Sequence, residues 1–312
     1  MSTLLIKNGT VITMNATRDL VQADILIDGA RIVAMGTGIS SLADEIIDAS
    51  GRVVMPGIIQ SHVHLTQTLF RGLADDMALL DWLKKRIWPL EAAHSYETSA
   101  ISARLGAAEL IRGGTTSLID MGTVHHTTAI FETVRDVGLR GLFGKCMMDS
   151  GDEVPAGLRE CPETSLKEAE RLLNTWHQAD HGRIQYAFAP RFAVSCSQKL
   201  LEKVRDAARH YQVSVHTHAA ENRSEVALVR QAHGMGNIEY FHKLGMTGPR
   251  LILAHCIWLS DAERALLAST GTHVVHCPAS NMKLASGIAQ IPEMLDMGIN
   301  VALGCDGAPC NN

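Results

Sequence analysis

The sequence of 312 residues predicts an α/β protein: a (β/α)8 TIM-type barrel over residues 55–312, preceded by part of a small N-terminal β-sandwich module over residues 1–54. Three observations predict it. Eight apolar runs alternate with amphipathic helical stretches after Pro56-Gly57. The residues before that point read instead as short strands joined by turns. Finally, several of the eight runs end in His or Asp, and a barrel gathers its strand ends on one face.

Taken in order, LLIKNGTVITM, ADILIDGARIVAMG and EIIDASGRVVM form the N-terminal strands, with Asn8-Gly9 and Asp28-Gly29 as hairpin signals. The barrel strands are read at 54–65, 115–122, 140–149, 183–192, 212–221, 250–259, 272–281 and 300–309. Helical periodicity separates them in ETSAISARLGAAELIRGG, SQKLLEKVRDAARHYQ and SDAERALLASTG. Ser195, Ser197 and Ser260 are read as helix caps, and Gly113-Gly114 and Gly271 as stops. A doubly wound open sheet is the other topology this alternation allows. The single G-x-G, Gly36 to Gly38, lacks the third glycine and the following helix of a dinucleotide site.

Composition narrows the function. At 46% hydrophobic and 20% charged the chain can bury a core, which excludes disorder. A net charge of −5 gives no electrostatic footprint for nucleic acid or anionic membrane. No apolar run is long enough to span a bilayer, and the N-terminus has no signal-peptide pattern. The seven cysteines are scattered without a CxxC pair, which suits a reducing cytoplasm rather than a disulfide framework.

The chemistry lies at the strand ends. The first run ends His62-Val63-His64, and a period of two aims both imidazoles to one side, as a shared metal ion requires. The fifth ends His216-Thr217-His218-Ala-Ala-Glu221, the sixth at His255 and the eighth at Asp306. A lone His-x-His is commonly a pair of hydrogen-bonded core residues, but several such ends converging on one face form a metal-site constellation.

PGIIQSHVHL, HTHAAE, LAHC, HCPASNMKLASG and GCDGAP together resemble the amidohydrolase superfamily, in its metal-dependent deaminase branch. Within it, RGLADDMALLDWLKKRIWPLEA and GCDGAPCNN are similar to the 5′-deoxyadenosine, methylthioadenosine and S-adenosylhomocysteine deaminases, with guanine deaminases and triazine hydrolases as relations. The resemblance implies that His62, His64, His218 and Asp306 ligate one divalent metal, Zn²⁺ or alternatively Fe²⁺ or Mn²⁺. Glu221 would carry the proton, His255 would orient the attacking water, and Asp306 would double as a base. His216 is read as a barrel-interior histidine bonded to a neighbour. Dinuclear relatives bridge two metals with a lysine ending the fourth strand. That strand here ends Pro190-Arg191-Phe192, so one metal is expected.

The implied activity is hydrolytic deamination: hydroxide generated at the metal attacks a purine nucleoside and ammonia leaves, a cyclic-amidine C–N hydrolysis. Residues 66–94 read as a helical lid carrying Trp82, Trp88 and Glu91, with Gln67 a further pocket candidate. Glu91 would accept hydrogen bonds from a ribose, and Trp82 or Trp88 would stack near a ring. PRFAVSC departs from the nucleoside subgroup and looks like guanine deaminases, so Arg191 would contact the heterocycle. A guanine- or pterin-type base deaminase, an s-triazine hydrolase and a non-catalytic metal-binding homologue are the alternatives. Ser280 and Asn281 are further pocket candidates, and Arg159 and Lys283 could meet an anionic tail. The partner is a small molecule, with a homo-oligomer as one arrangement. By family analogy the chain stops after strand 8, without a last helix and the rest of the sandwich, and is expected to expose apolar surface.

Overall fold

The computed structural model describes residues 2–40, 42–151 and 154–311. The chain divides into two compact units, Met1–Ile58 and Ile59–Asn312; the division read from the sequence, at 54/55, lies just before that point.

In the first unit, β1 (Thr3–Ile12), β2 (Leu20–Asp28), β3 (Arg31–Gly36), β4 (Glu45–Asp48) and β5 (Val53–Val54) form one five-stranded sheet. β2 and β3 are an antiparallel hairpin turning at Gly29, as Asp28-Gly29 predicts. Asn8-Gly9 is not a turn. It sits inside β1 as a bulge, with Asn8 at φ 62° and its N–H donating to Asp24 Oδ1 at 2.8 Å. Asn tolerates the left-handed region that either feature needs, so the dipeptide alone does not separate them. Val11, Ala23 and Ile25 are buried with Ile6, Ile27 and Val54 against them, while Ile32, Met35 and Ile46 on the same sheet are exposed.

The second unit is built on eight parallel strand positions: β6 (Ile58–Val63), β7 (Thr115–Met121), β8 (Arg140–Gly144) continued by β9 (Cys146–Met147), β10 (Ile184–Pro190), β11 (Ser214–Ala219), β12 (Leu251–His255), β13 (His273–His276) and β14 (Val301–Leu303). Each falls inside a predicted run. The third run is interrupted at Lys145, whose buried ammonium turns to Glu160. The open-sheet alternative is excluded at the seam, where Asp306 N–H donates to the His62 carbonyl at 2.9 Å and Val63 bridges to Asp306.

Ser197 and Ser260 cap their helices through side-chain bonds to Leu200 N–H and Glu263 N–H, and Gly271 ends the helix Asp261–Thr270 at φ 68°. Ser195 caps nothing. It is buried, and its carbonyl instead takes the N–H groups of Asp149 and Ser150. The helix Tyr96–Arg112 is capped by Ser95. No helix among the described residues is long and apolar enough to cross a membrane.

Two glycines let the strands approach. A Cβ on Gly141 would run into the Leu118 carbonyl oxygen, and one on Gly144 into that of Ala187. Gly141→Ala is therefore expected to cost on the order of 3 kcal/mol through backbone displacement. Thermal unfolding followed by circular dichroism checks this, and an unchanged midpoint would contradict it.

Residues 65–92 form the predicted helical excursion, in four short turns: Leu65–Phe70, Leu79–Trp82, Leu83–Ile87 and Trp88–Ala92. Phe70, Leu79, Trp82, Leu83, Ile87 and Trp88 pack as one apolar cluster on Met121, Met148, Ala189 and Phe192 of the barrel. This cluster fixes the cover over the strand ends.

Candidate metal centre and active site

Strand geometry puts the donors together. His62 lies on β6 and His64 just beyond it, His218 on β11, His255 at the end of β12 and Asp306 past β14. His64 Nε2 lies 3.3 Å from His218 Nε2 and 3.4 Å from Asp306 Oδ1, and His62 Nε2 is 3.3 Å from the same oxygen. One ligand atom from each of His62, His64 and His218 falls within 4.8 Å of the others, as for the set His62, His255 and Asp306. His276, though at a strand end, is not in either group.

The outer contacts decide which nitrogen faces inward. His64 Nδ1 meets the Met121 carbonyl at 2.8 Å and His218 Nδ1 the Arg191 carbonyl at 2.7 Å, so both must donate there and keep a lone pair on Nε2. His216 completes a relay: its Nδ1 meets the Ile252 carbonyl at 3.3 Å, and its Nε2 meets His62 Nδ1 at 2.7 Å. His62 is thereby the donor at Nδ1, and its buried Nε2 has no hydrogen-bond partner among the described residues. Both nitrogens of His216 are thus committed, and it orients the His62 ring from behind.

Burial keeps these rings neutral. It lowers His62, holds His216 and His218 well below the usual imidazole range and pushes His64 down to about 4. Burial would raise Asp306, but the histidines clustered round it, with His255 above its ordinary value, keep the carboxylate well below its usual range. Ser280 Oγ donates to its Oδ2 at 2.6 Å and Gly307 N–H to its Oδ1 at 2.7 Å. Three neutral imidazoles and one carboxylate, with an orphaned Nε2 among them, fit a divalent cation.

Glu221 and His255 flank that cluster. His255 Nε2 is 3.5 Å from Glu221 Oε2 and 3.8 Å from Asp306 Oδ2, while its Nδ1 meets Asn281 Oδ1 at 2.8 Å. Burial raises Glu221 to about 7, which suits a group that takes and returns a proton near neutrality. Burial would lower His255, but the Glu221 and Asp306 carboxylates hold it above its ordinary value. His255 and Asp306 both sit at positive φ, 73° and 62°, and such strain at strand ends clusters at functional sites.

The cavity over this centre is lined by His64, His218, Glu221, His255 and Asp306 together with Gln67, Leu79, Trp82, Arg191 and Phe192. Trp82 is the tryptophan on its wall. Both tryptophans belong to the apolar cluster, but Trp88 is not among the residues lining the cavity. Glu91 and Arg191 do not meet the cavity as two independent groups. They form a buried pair, Arg191 Nη1 to Glu91 Oε2 at 2.6 Å, and Gln67 Nε2 donates to Glu91 Oε1 at 2.8 Å. Ser280 and Asn281 hold Asp306 and His255 rather than lining the cavity. Arg159 is exposed, Lys283 pairs with Asp75 at 2.9 Å, and His125 binds the Gly157 carbonyl.

Removing one member of the buried pair strands a charge. Arg191→Met is expected to destabilise the protein by about 3–5 kcal/mol, and the double change with Glu91→Gln to recover much of it. Chemical denaturation of the two variants checks this, and equal losses in both would contradict it.

Residues 53–312 match the amidohydrolase family. The chain is 38% identical over its whole length to the 5′-deoxyadenosine deaminase of Methanosarcina mazei, covering 71% of that protein. It is 39% identical over 99% of its length to the 5-methylthioadenosine/S-adenosylhomocysteine deaminase of Thermococcus kodakarensis, again covering 71%. Among solved structures, a triazine hydrolase from Arthrobacter aurescens superposes with a TM-score of 0.94 at 26% identity, over 100% of this chain and 73% of that one. An adenosine deaminase from Xanthomonas campestris with bound zinc gives 0.92 at 30% identity, over 99% and 70%.

Proposed function

The chain belongs to the amidohydrolase family, and from that premise we propose that it deaminates a purine nucleoside of the 5′-deoxyadenosine, 5′-methylthioadenosine or S-adenosylhomocysteine type. It is an enzyme hydrolysing C–N bonds in a small-molecule substrate. The carrying observation is the convergence of His62, His64, His218 and Asp306 beside the Glu221–His255 pair.

The first four residues would hold one divalent metal, for which Zn²⁺ is proposed; Fe²⁺ and Mn²⁺ suit the same donors. When bound, such an ion supplies the Lewis acidity that makes water a nucleophile near neutral pH. The protein's own groups do the rest. Glu221 takes a proton from the attacking water and passes it to a ring nitrogen, so that the amino-bearing carbon becomes tetrahedral. Asp306, beside the same centre, is a second acceptor for the water's proton. His255 orients the attacking oxygen through Nε2, and its partner Asn281 fixes the ring. The tetrahedral carbon then collapses and expels ammonia, one water proton having moved through Glu221 to the ring nitrogen and the other to the leaving nitrogen, so that Glu221 is returned to its starting state.

Trp82 and Phe192 offer the cavity's flat apolar wall to a purine ring. The base-deaminase alternative rests on Arg191, whose guanidinium is already turned to Glu91. The seven free cysteines fit a reducing compartment, and the cytoplasm is the proposed location.

Ammonia release by the metal-loaded protein from 5′-deoxyadenosine, 5′-methylthioadenosine, S-adenosylhomocysteine, guanine and an s-triazine tests the substrate class. Turnover of at least one nucleoside is expected. Turnover of guanine or the triazine with no nucleoside consumed would overturn the reading.

A further inference from the structure

We propose that Glu225 is a positioning residue for Glu221: its buried carboxylate, clamped by Asn237, fixes the backbone from which the proton-carrying side chain projects. The proposal rests on the reading of Glu221 as the proton carrier.

Glu221 leaves β11 through a turn that its sequence does not favour. Ala220 sits at φ 50°, in the left-handed region where a side chain is strained. Such a turn persists only when its surroundings over-determine it. On one side, the Ala219 carbonyl accepts Cys256 N–H at 3.0 Å, and the Ala220 carbonyl accepts Ile257 and Trp258 N–H at 2.9 and 3.0 Å. These bonds tie the end of β11 to the segment that follows His255. On the other side, Glu221 N–H donates to Glu225 Oε2 at 2.7 Å. The second oxygen of Glu225 is held by Asn237 Nδ2, from the helix Asn237–Lys243.

A glutamate at the third position of a helix ordinarily reaches back to the capping residue while staying in water. Glu225 is at that position in the helix Arg223–His233, but its carboxylate goes one residue beyond the cap Asn222, to Glu221 N–H, and both it and Asn237 are fully buried. A cap alone has no need of the burial or of the second clamp. The carboxyl of Glu221 must stay near His255, 3.5 Å away, and a small misplacement of a reacting group costs much of its rate.

The test uses kcat and KM for ammonia release from 5′-deoxyadenosine, with metal per chain measured on the same preparations. Glu225→Ala leaves Glu221 N–H without its acceptor and is expected to lower kcat on the order of a hundredfold, with KM and metal content close to the parent's. Glu225→Gln should stay within about threefold of the parent, because position rather than charge is what matters here. Its carbonyl can keep the bond to Glu221, and Asn237 can turn its unpartnered Oδ1 to the new amide. A parental kcat in Glu225→Ala would overturn the proposal. So would a Glu225→Gln as impaired as the alanine variant, or metal lost in step with kcat. If Glu225→Ala does not fold, Asn237→Ala reads the same clamp through kcat. Failure of both to fold assigns the pair to folding and overturns the positioning role. Glu221→Gln, run in parallel, separates the two ideas: if it is fully active, the reading of Glu221 fails. If it is inactive while Glu225→Ala is normal, only the clamp fails.

Discussion

Glu221→Gln is expected to lower kcat by roughly 10²–10⁴-fold while the protein keeps its full metal content. The amide matches the carboxyl in shape but cannot take a proton from water and return it to a ring nitrogen. Glu221 is not among the residues whose donor atoms converge as a ligand group, so removing its charge leaves the metal donors in place. Its buried carboxyl, raised to about 7, is poised for exchange in both directions at neutral pH. Elemental analysis and steady-state kinetics on one preparation check both halves. A fully active variant would refute the proton-carrying role, and a metal-free variant would make Glu221 a ligand.

The second large effect is expected from His62→Ala, which should lose both metal and turnover. His62 is fully buried, its Nδ1 is committed to His216, and its Nε2 has no other use than to face the cluster. Removing one of four donors leaves a coordination that water must complete. His216→Ala should act through the same ring more mildly, weakening metal affinity by about 10–100-fold, as outer contacts to ligating histidines generally do. Stoichiometric metal retained in His62→Ala would contradict the ligand assignment.

Much of the barrel is legible in the sequence because parallel strands are buried on both faces and read as short continuous apolar runs. Caps such as Ser197 and Ser260 are legible for a local reason, since the capping group and its N–H partner lie within three residues. Asn8-Gly9 misleads because a bulge and a hairpin turn ask for the same backbone region. Lys145 breaks the third strand through a partner fifteen residues away, beyond the reach of any local pattern.

The site divides in the same way. His62 and His64 declare themselves by a period of two, and His218 and Glu221 by their spacing. The pairing of Arg191 with Glu91 spans 100 residues and that of His216 with His62 spans 154, so only the closed barrel reveals them. Trp82 and Trp88 are indistinguishable in sequence, and only the folded chain shows that Trp82 is the one lining the cavity. Glu225 carries a faint signal, four residues after Glu221 on a helix start, but Asn237 carries none.

The most direct test is a titration of the metal-free chain with Zn²⁺ while ammonia release from 5′-deoxyadenosine is followed. Turnover that is absent at the start and rises to a plateau at one equivalent per chain is the predicted result. Full turnover by the metal-free chain, or a plateau reached only at two equivalents, would contradict a single metal held by His62, His64, His218 and Asp306.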